Sequence, residues 1–198
     1  MAVKVTVKSL RGFTAKEENV FRLSGMLLEK ALNDPDFERR VLEARYTHLS
    51  FRPASDKPVV QKKPADIVAL IGAGLERGSS KDNELDIAIV KDVDRKRPSV
   101  GGSYPGVLPW ETAKWFIDLC VDRQKPDTIS PARHIIHEWL HVSGFVHQGK
   151  KGDPPYVVGS IVRDILKQVR TFDDAHEDAE VARALDESFD DVSEDAAP

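Results

Sequence analysis

The chain has 198 residues, a hydrophobic fraction of 40%, a charged fraction of 31% and a formal net charge of −4. This length and composition fit one globular domain, the lack of a long apolar run excludes a transmembrane helix, and a single cysteine excludes an intramolecular disulfide. The N-terminus alternates apolar and polar residues, which is not the pattern of a signal peptide. We therefore expect a cytoplasmic protein, or one released without a cleaved signal.

The charge is unevenly distributed along the chain. Residues 171–198 hold eleven acidic residues and one arginine, so this segment carries −10 and residues 1–170 carry +6. We predict that residues 1–170 form a single domain and that residues 171–198 form an acidic, flexible tail. An alternative hypothesis is that the acidic segment folds over the basic body.

The spacing of apolar residues predicts the elements in chain order. Short alternating or apolar runs predict strands at 3–8, 44–51, 85–90 and 112–119, with an exposed loop at 52–62. Helical spacing and start signals predict helices at 14–32, from 35 onward, and at 64–78, 131–143 and 159–169. Thr14 and Glu17 form a capping box, Gly78 is expected to end the third helix, and Ser130 to cap the fourth. This mixture predicts an α+β domain.

Residues 137–147 carry the pattern H-E-x-x-H-x-x-G-x-x-H. His137 and His141 are four residues apart, so a helix places both imidazoles on one face, where they can bind one Zn²⁺ ion at about 2.0–2.1 Å. Glu138 points to the side of the metal and can take a proton from a water molecule activated there. The pattern therefore predicts a catalytic zinc site on a helix.

A third ligand follows the end of this helix. Gly144 suits the positive φ of a helix terminus, after which the chain can return His147 to the metal. Three protein ligands leave one position open, which is typical of catalytic zinc. His134 shares the helix face and is the alternative third ligand. We favour His147 because Gly144 explains the return of the chain, and expect His134 to support the site or line the cleft.

The motif resembles that of the metzincin clan of zinc endopeptidases, strongly over residues 137–147 and loosely over the first 170 residues. The resemblance implies a metzincin-like zincin domain, with a small twisted mixed sheet, packed helices and an active-site helix at about 131–143. It also implies a smaller, mainly helical C-terminal part at 145–170, separated by a cleft from residues 1–144. The implied cofactor is one catalytic Zn²⁺ ion, and the implied partner is a peptide or protein substrate.

Residues 100–106 resemble the irregular edge segment above the zinc cleft of metzincins. An exposed edge can bind an extended peptide as an added strand through main-chain hydrogen bonds. Gly101, Gly102, Ser103 and Tyr104 are therefore candidate substrate-binding residues. The alternative is an ordinary glycine-rich turn.

The chain departs from the clan beneath the metal. Metzincins carry a methionine in a tight turn downstream of the third histidine, whereas this chain has only Met1 and Met26, both upstream. The segment from Asp153 to Tyr156 predicts a turn in the corresponding place. One hypothesis puts Tyr156 under the metal in place of the methionine, and a second turns its hydroxyl toward the zinc or the oxyanion. A third makes it a core or rim aromatic residue.

Together these observations predict a zinc-dependent metallopeptidase in which Glu138 serves as general base and then as general acid. The resemblance to metzincins implies that it is an endopeptidase. An alternative is a catalytically silent zinc-binding module that binds peptides or proteins. The missing methionine favours this alternative, whereas the presence of Glu138 speaks against it. A nucleic-acid partner is not expected, because the basic residues are scattered and lack a stacking aromatic motif. A membrane partner is not expected either.

Overall fold

The computed structural model describes residues 2–54, 56–75, 82–103, 105–122, 124–148 and 152–170. The strands within them are β1 Lys4–Arg11, β2 Ser50–Phe51, β3 Val60–Gln61, β4 Glu84–Asp92, β5 Gly101–Gly102 and β6 Trp110–Ala113. The helices are α1 Ala15–Leu32, α2 Pro35–Glu43, α3 Pro64–Ala73, α4 Lys114–Val121, α5 Ile129–Ser143 and α6 Pro154–Arg170. The predicted α+β class is confirmed. The predicted acidic tail lies outside the described residues.

A mixed sheet with strand order β1-β4-β6-β5 forms the centre of the fold. β1, β4 and β6 run parallel, whereas β5 pairs with β6 in the antiparallel direction and lies at the edge. Alternate residues of β4, namely Leu85, Ile87 and Ile89, are fully buried, as expected for a strand that packs one face on a core. α5 contacts β4, α1 and α6, so the helix with the motif lies in the middle of the molecule.

The start of α1 is fixed by the predicted capping box, which is confirmed. The Glu17 backbone N–H donates to Thr14 Oγ1 at 3.4 Å, and the Thr14 N–H donates to Glu17 Oε2 at 2.6 Å. Lys91 at the end of β4 also donates to both Glu17 oxygens, at 2.8 and 3.0 Å. Burial alone would raise the pKa of Glu17, but the hydrogen bonds from Lys91 and Thr14 outweigh it and lower that pKa. One carboxylate therefore both caps α1 and ties it to the sheet.

Several predicted elements are wrong in type or extent. The predicted strand at 112–119 is strand β6 followed by helix α4, whose buried Phe116, Ile117, Cys120 and Val121 recur at helical spacing. Of the predicted strand at 44–51 only Ser50–Phe51 is a strand, and its partner β3 lies inside the predicted loop at 52–62. A short apolar run does not by itself distinguish helix from strand.

The boundaries of three helices also differ from prediction. α3 ends at Gly74, which has φ +63°, whereas the predicted terminator Gly78 lies outside the described residues. α5 begins at Ile129, so Ser130 lies inside the helix; Asp127 Oδ1 instead accepts from the N–H groups of Ile129 and Ser130, at 2.8 and 3.1 Å. α6 begins at Pro154, five residues before the predicted start. None of the described helices is both long enough and apolar enough to span a bilayer.

Candidate metal centre

Helix α5 is buried along almost its whole length. Every residue from Ile129 to Ser143 except His141 is buried. The helix ends at Gly144, whose φ of +121° is costly for any residue with a Cβ atom. A Cβ atom there would also lie 2.8 Å from the Arg52 carbonyl oxygen. Both the backbone conformation and the available space therefore require glycine at this turn.

The strand β2 guides the chain after the turn. The Arg52 N–H donates to the Gly144 carbonyl at 2.7 Å, and the Val146 N–H donates to the Ser50 carbonyl at 3.1 Å. The rings of Phe51 and Phe145 pack edge to face with centroids 5.2 Å apart. Residues 144–146 therefore run along β2 like a short added strand, and this direction carries the next residue, His147, back toward α5.

The three predicted ligands converge. Within the described part of the chain, His137, His141 and His147 form a group whose potential ligand atoms all lie within 4.8 Å of one another. Nε2 of His141 is 3.3 Å from Nε2 of His137 and 3.0 Å from Nε2 of His147. Two nitrogens bound to one tetrahedral Zn²⁺ ion at about 2.0–2.1 Å lie about 3.3 Å apart. The spacing of these nitrogens therefore fits a zinc ion.

The protonation of the histidines also suits a metal. His141 Nδ1 lies 2.7 Å from the Phe145 carbonyl oxygen, which can only accept, so Nδ1 carries the proton and Nε2 presents its lone pair. Burial, and then the neighbouring imidazoles, lower the pKa of His137 well below its usual value. Burial lowers the pKa of His141 to about 3 and that of His147 to about 4. All three side chains are neutral at neutral pH, which is the form that binds zinc.

Glu138 lies beside the edge strand β5. It is buried, and Ser103 Oγ donates to its Oε2 at 2.5 Å. Burial raises the pKa of Glu138 to about 7, although the Ser103 hydrogen bond acts in the opposite direction. A carboxyl group with a pKa near neutrality can both accept and release a proton at neutral pH.

His134 is not part of the histidine group. It is fully buried, its Nε2 shares a 3.0 Å hydrogen bond with Thr112 Oγ1, and its Nδ1 lies 3.7 Å from Glu138 Oε1. Gly101 lies directly over the ring, since a Cβ atom on Gly101 would come within 2.7 Å of His134 Cε1. The geometry agrees with the preference for His147 over His134 and places His134 between the sheet edge and Glu138.

Three of the four candidate substrate-binding residues lie at or next to the sheet edge. Gly101 pairs with Thr112 and Gly102 pairs with Glu111, so residues 101–102 form strand β5 and not only a turn. Ser103 contacts Glu138 instead of pointing away from the site. Tyr104 lies outside the described residues.

Tyr156 packs against two of the three histidines. Its ring is stacked on His147, with centroids 4.6 Å apart at 26°, and meets His137 edge to face at 4.9 Å. It lies in the first turn of helix α6, so the turn predicted from Asp153 to Tyr156 is wrong from Pro154 onward. These contacts place Tyr156 against the histidines, and its replacement of the methionine stays a prediction. The ring is buried, so a core role is compatible with the same contact.

Sequence reasoning missed two polar side chains near the site. Arg95 donates to the Gly101 carbonyl at 3.1 Å and to Glu111 Oε2 at 2.5 Å, and thereby holds β5 to its neighbours. Asp153 is fully buried, with Oδ2 3.5 Å from His147 Nδ1. Of the two, only Asp153 entered the sequence analysis, as part of a predicted turn. Only the proximity of Asp153 to the motif could have indicated its position.

Comparisons of the chain with protein families, with curated proteins and with solved structures find no match. The resemblance to metzincins therefore stays a prediction that rests on the motif at 137–147.

Proposed function

We propose that this chain is a zinc-dependent peptidase with a metzincin-like fold. The observation that carries the proposal is the convergence of three neutral imidazoles. Nε2 of His141 lies 3.3 Å from that of His137 and 3.0 Å from that of His147. The residue after His137 is Glu138, whose carboxyl group is buried. Three nitrogen ligands and one acid–base residue are the parts that a hydrolytic zinc site needs. A purely structural zinc site would use a fourth protein ligand and has no need of Glu138.

His137, His141 and His147 would hold the ion. A bound zinc ion supplies Lewis acidity, which acidifies water and polarises a carbonyl group. The chain contributes the fixed direction of the ligands, because His141 is oriented by its hydrogen bond to the Phe145 carbonyl. It also excludes bulk water, because α5 is buried on most of its surface.

Glu138 moves the proton in this proposal. Ser103 occupies Oε2 at 2.5 Å, so Oε1 is the oxygen that we assign to proton transfer. The raised pKa of about 7 makes the carboxyl group basic enough to take a proton from water and acidic enough to return it to the leaving amine. Burial provides this balance, since it disfavours the charged form of the group.

The edge strand β5 is the proposed site for the peptide backbone. It is the last strand in the order β1-β4-β6-β5, so one of its edges has no partner strand within the described sheet. An extended peptide can pair with such an edge. Ser103, which follows β5 directly, contacts Glu138, so a peptide bound there would lie beside the acid–base residue. The mixed sheet and the helix α6 after Gly144 support the metzincin-like assignment.

The first test is the metal content of protein purified without a histidine tag. We expect about one zinc per chain in the wild type and a clear loss in His147→Ala. Peptide libraries then compare the wild type with Glu138→Gln, a matched control that keeps the shape of the side chain but cannot accept the proton. Zinc binding without cleavage would support the silent binding module. A wild type that takes up no zinc after reconstitution would disprove the metal centre.

A further inference from the structure

His147 is the ligand that the fold holds least directly, because it lies after the end of α5 and outside any helix or strand. Its Nδ1 atom is buried and makes no hydrogen bond, but Oδ2 of Asp153 lies 3.5 Å away. We propose that Asp153 is the positioning residue for the third metal ligand: its carboxylate orients the His147 ring and supplies negative charge to the metal. This inference rests on the zinc site proposed above.

The surroundings of Asp153 are built for a carboxylate in a fixed position. The residue is fully buried, and Oδ2 accepts a hydrogen bond from the Gln148 N–H at 3.0 Å. Thr47 Oγ1 lies 3.5 Å from the other oxygen, and the Thr47 N–H donates to the Gly152 carbonyl at 2.9 Å. A buried carboxylate is costly unless it has such partners. Contacts to both carboxylate oxygens of Asp153 therefore fix its position.

The chemistry of the ligand set explains why a carboxylate is placed there. A ligating histidine usually donates its second N–H to a carbonyl or carboxylate, which fixes the ring and strengthens the bond to the metal. His141 has the Phe145 carbonyl in that role, at 2.7 Å. Asp153 Oδ2 faces the corresponding nitrogen of His147, but at 3.5 Å, which is longer than the hydrogen bond of His141. Imidazole ligands bring no negative charge, so a carboxylate beside one of them would help to balance the charge of a divalent ion.

Tyr156 completes the environment of the His147 ring. It lies three residues after Asp153 and stacks on the ring face at 4.6 Å, while the carboxylate approaches the ring edge. One side chain fixes the plane of the imidazole and the other fixes its rotation within that plane. The start of α6 thus contacts the third ligand from two directions.

The experiment measures zinc affinity by chelator competition in the full-length wild type, Asp153→Asn, Asp153→Ala and the control Asp122→Asn. The control removes the same charge from a carboxylate that is 73% exposed and pairs with Lys16 at the surface. We expect zinc to bind about 10-fold more weakly to Asp153→Asn and about 100-fold more weakly to Asp153→Ala. Asp122→Asn should match the wild type. The absorption spectrum of the Co²⁺-loaded Asp153 variants should also change, since the third ligand is reoriented.

Asp153→Asn separates a positioning role from a structural one. Asparagine keeps an oxygen for the Gln148 N–H, so a residue that only closes the loop would leave zinc affinity unchanged in this variant. Wild-type affinity in a folded Asp153→Asn protein would overturn the inference while the zinc site itself stands. If Asp153→Ala fails to fold, the zinc affinity of Asp153→Asn alone decides whether Asp153 positions His147. A wild type that binds no zinc would instead disprove the proposed site, and the role of Asp153 with it.

Discussion

The two halves of the candidate metal centre are held in different ways. His137 and His141 are carried by α5, which is buried on almost every side and fixed by the hydrophobic core. His147 lies on a connection between two helices and is held by hydrogen bonds to β2 and by contacts with the start of α6. The first half follows from helical periodicity, whereas the second depends on contacts between distant parts of the chain. The two halves should therefore respond differently to mutation.

The largest effect of a mutation is expected at Glu138, the residue of α5 to which proton transfer is assigned. Glu138→Gln should lower kcat by about 10²- to 10⁴-fold, because the amide cannot accept the proton, while zinc content stays near one per chain. The measurement is kcat on a cleaved peptide together with metal analysis of the same sample. Turnover close to that of the wild type would rule out Glu138 as the general base.

The junction between the halves is tested by Gly144→Ala, with Gly106→Ala as its matched control. Both glycines have positive φ, +121° and +73°, but a Cβ atom on Gly144 would lie 2.8 Å from the Arg52 carbonyl and one on Gly106 has nothing within 4 Å. We expect Gly106→Ala to lower the free energy of unfolding by about 1 kcal/mol and Gly144→Ala by about 2–3 kcal/mol.

Gly144→Ala should in addition weaken zinc binding, because the displaced turn moves His147. Chemical denaturation and chelator competition measure the two effects. If both variants lost the same free energy of unfolding, the close approach of Gly144 to the Arg52 carbonyl would not explain the need for glycine.

Acid should destabilise the metal-free protein. Burial lowers the pKa of His134 to about 3, of His141 to about 3 and of His147 to about 4, so the unfolded chain takes up these protons below about pH 6.5 while the folded chain does not. Glu138 acts in the opposite direction below pH 7, because its raised pKa lets the folded state bind one proton first. The histidines outnumber it, so the free energy of unfolding should fall between pH 6.5 and about pH 4.

The expected slope corresponds to at least one net proton, or about 1.4 kcal/mol per pH unit. Urea denaturation at pH 6.5 and pH 5.5 in the presence of a chelator measures it. The slope should become smaller in His147→Ala, which lacks one of the imidazoles with a lowered pKa. A free energy of unfolding that rises on acidification would show that the histidines with lowered pKa values do not dominate the pH dependence.

The smallest effect is expected at the start of the helical half. Asp127→Ala removes the side chain that accepts from the N–H groups of Ile129 and Ser130, and should cost about 1 kcal/mol of stability. Zinc affinity should stay within about threefold of the wild type, because the core fixes α5 independently of its cap. A large loss of zinc affinity would mean that the helical half is held less firmly than its burial suggests. Comparing the zinc affinities of Asp127→Ala and Asp153→Asn then shows how differently the two halves of the site are held.

The sequence predicted the half of the site carried by α5 better than the half that contains His147. The Thr14–Glu17 capping box, the end of α5 at Gly144 and the shared face of His137 and His141 depend on neighbours a few residues away, and the sequence pattern reveals them. Asp153 could not be predicted in the same way, because its partner Thr47 is 106 positions away. Thr112, the hydrogen-bond partner of His134, belongs to a strand that was predicted with the wrong length.

The type of the segment at 112–119 was wrong for a related reason. Trp115 and Phe116 are compatible with a strand by propensity, but the packing of Phe116, Ile117 and Cys120 into one core stabilises a helix. Tertiary contacts override local preference in such short apolar runs. The same limit applies to β2 and β3, two short strands whose pairing neither segment reveals alone.

Arg95 has a consequence for the motion of the sheet edge. Its guanidinium group bonds the Gly101 carbonyl, Glu111, Asp92 and Ser99, and so joins a loop, the edge strand and its neighbour through one side chain. A glycine pair such as Gly101–Gly102 would otherwise be among the most mobile backbone in a protein. With Arg95 in place, much of the conformational entropy of this edge is lost during folding, so that a strand pairing with it afterwards has less disorder to remove.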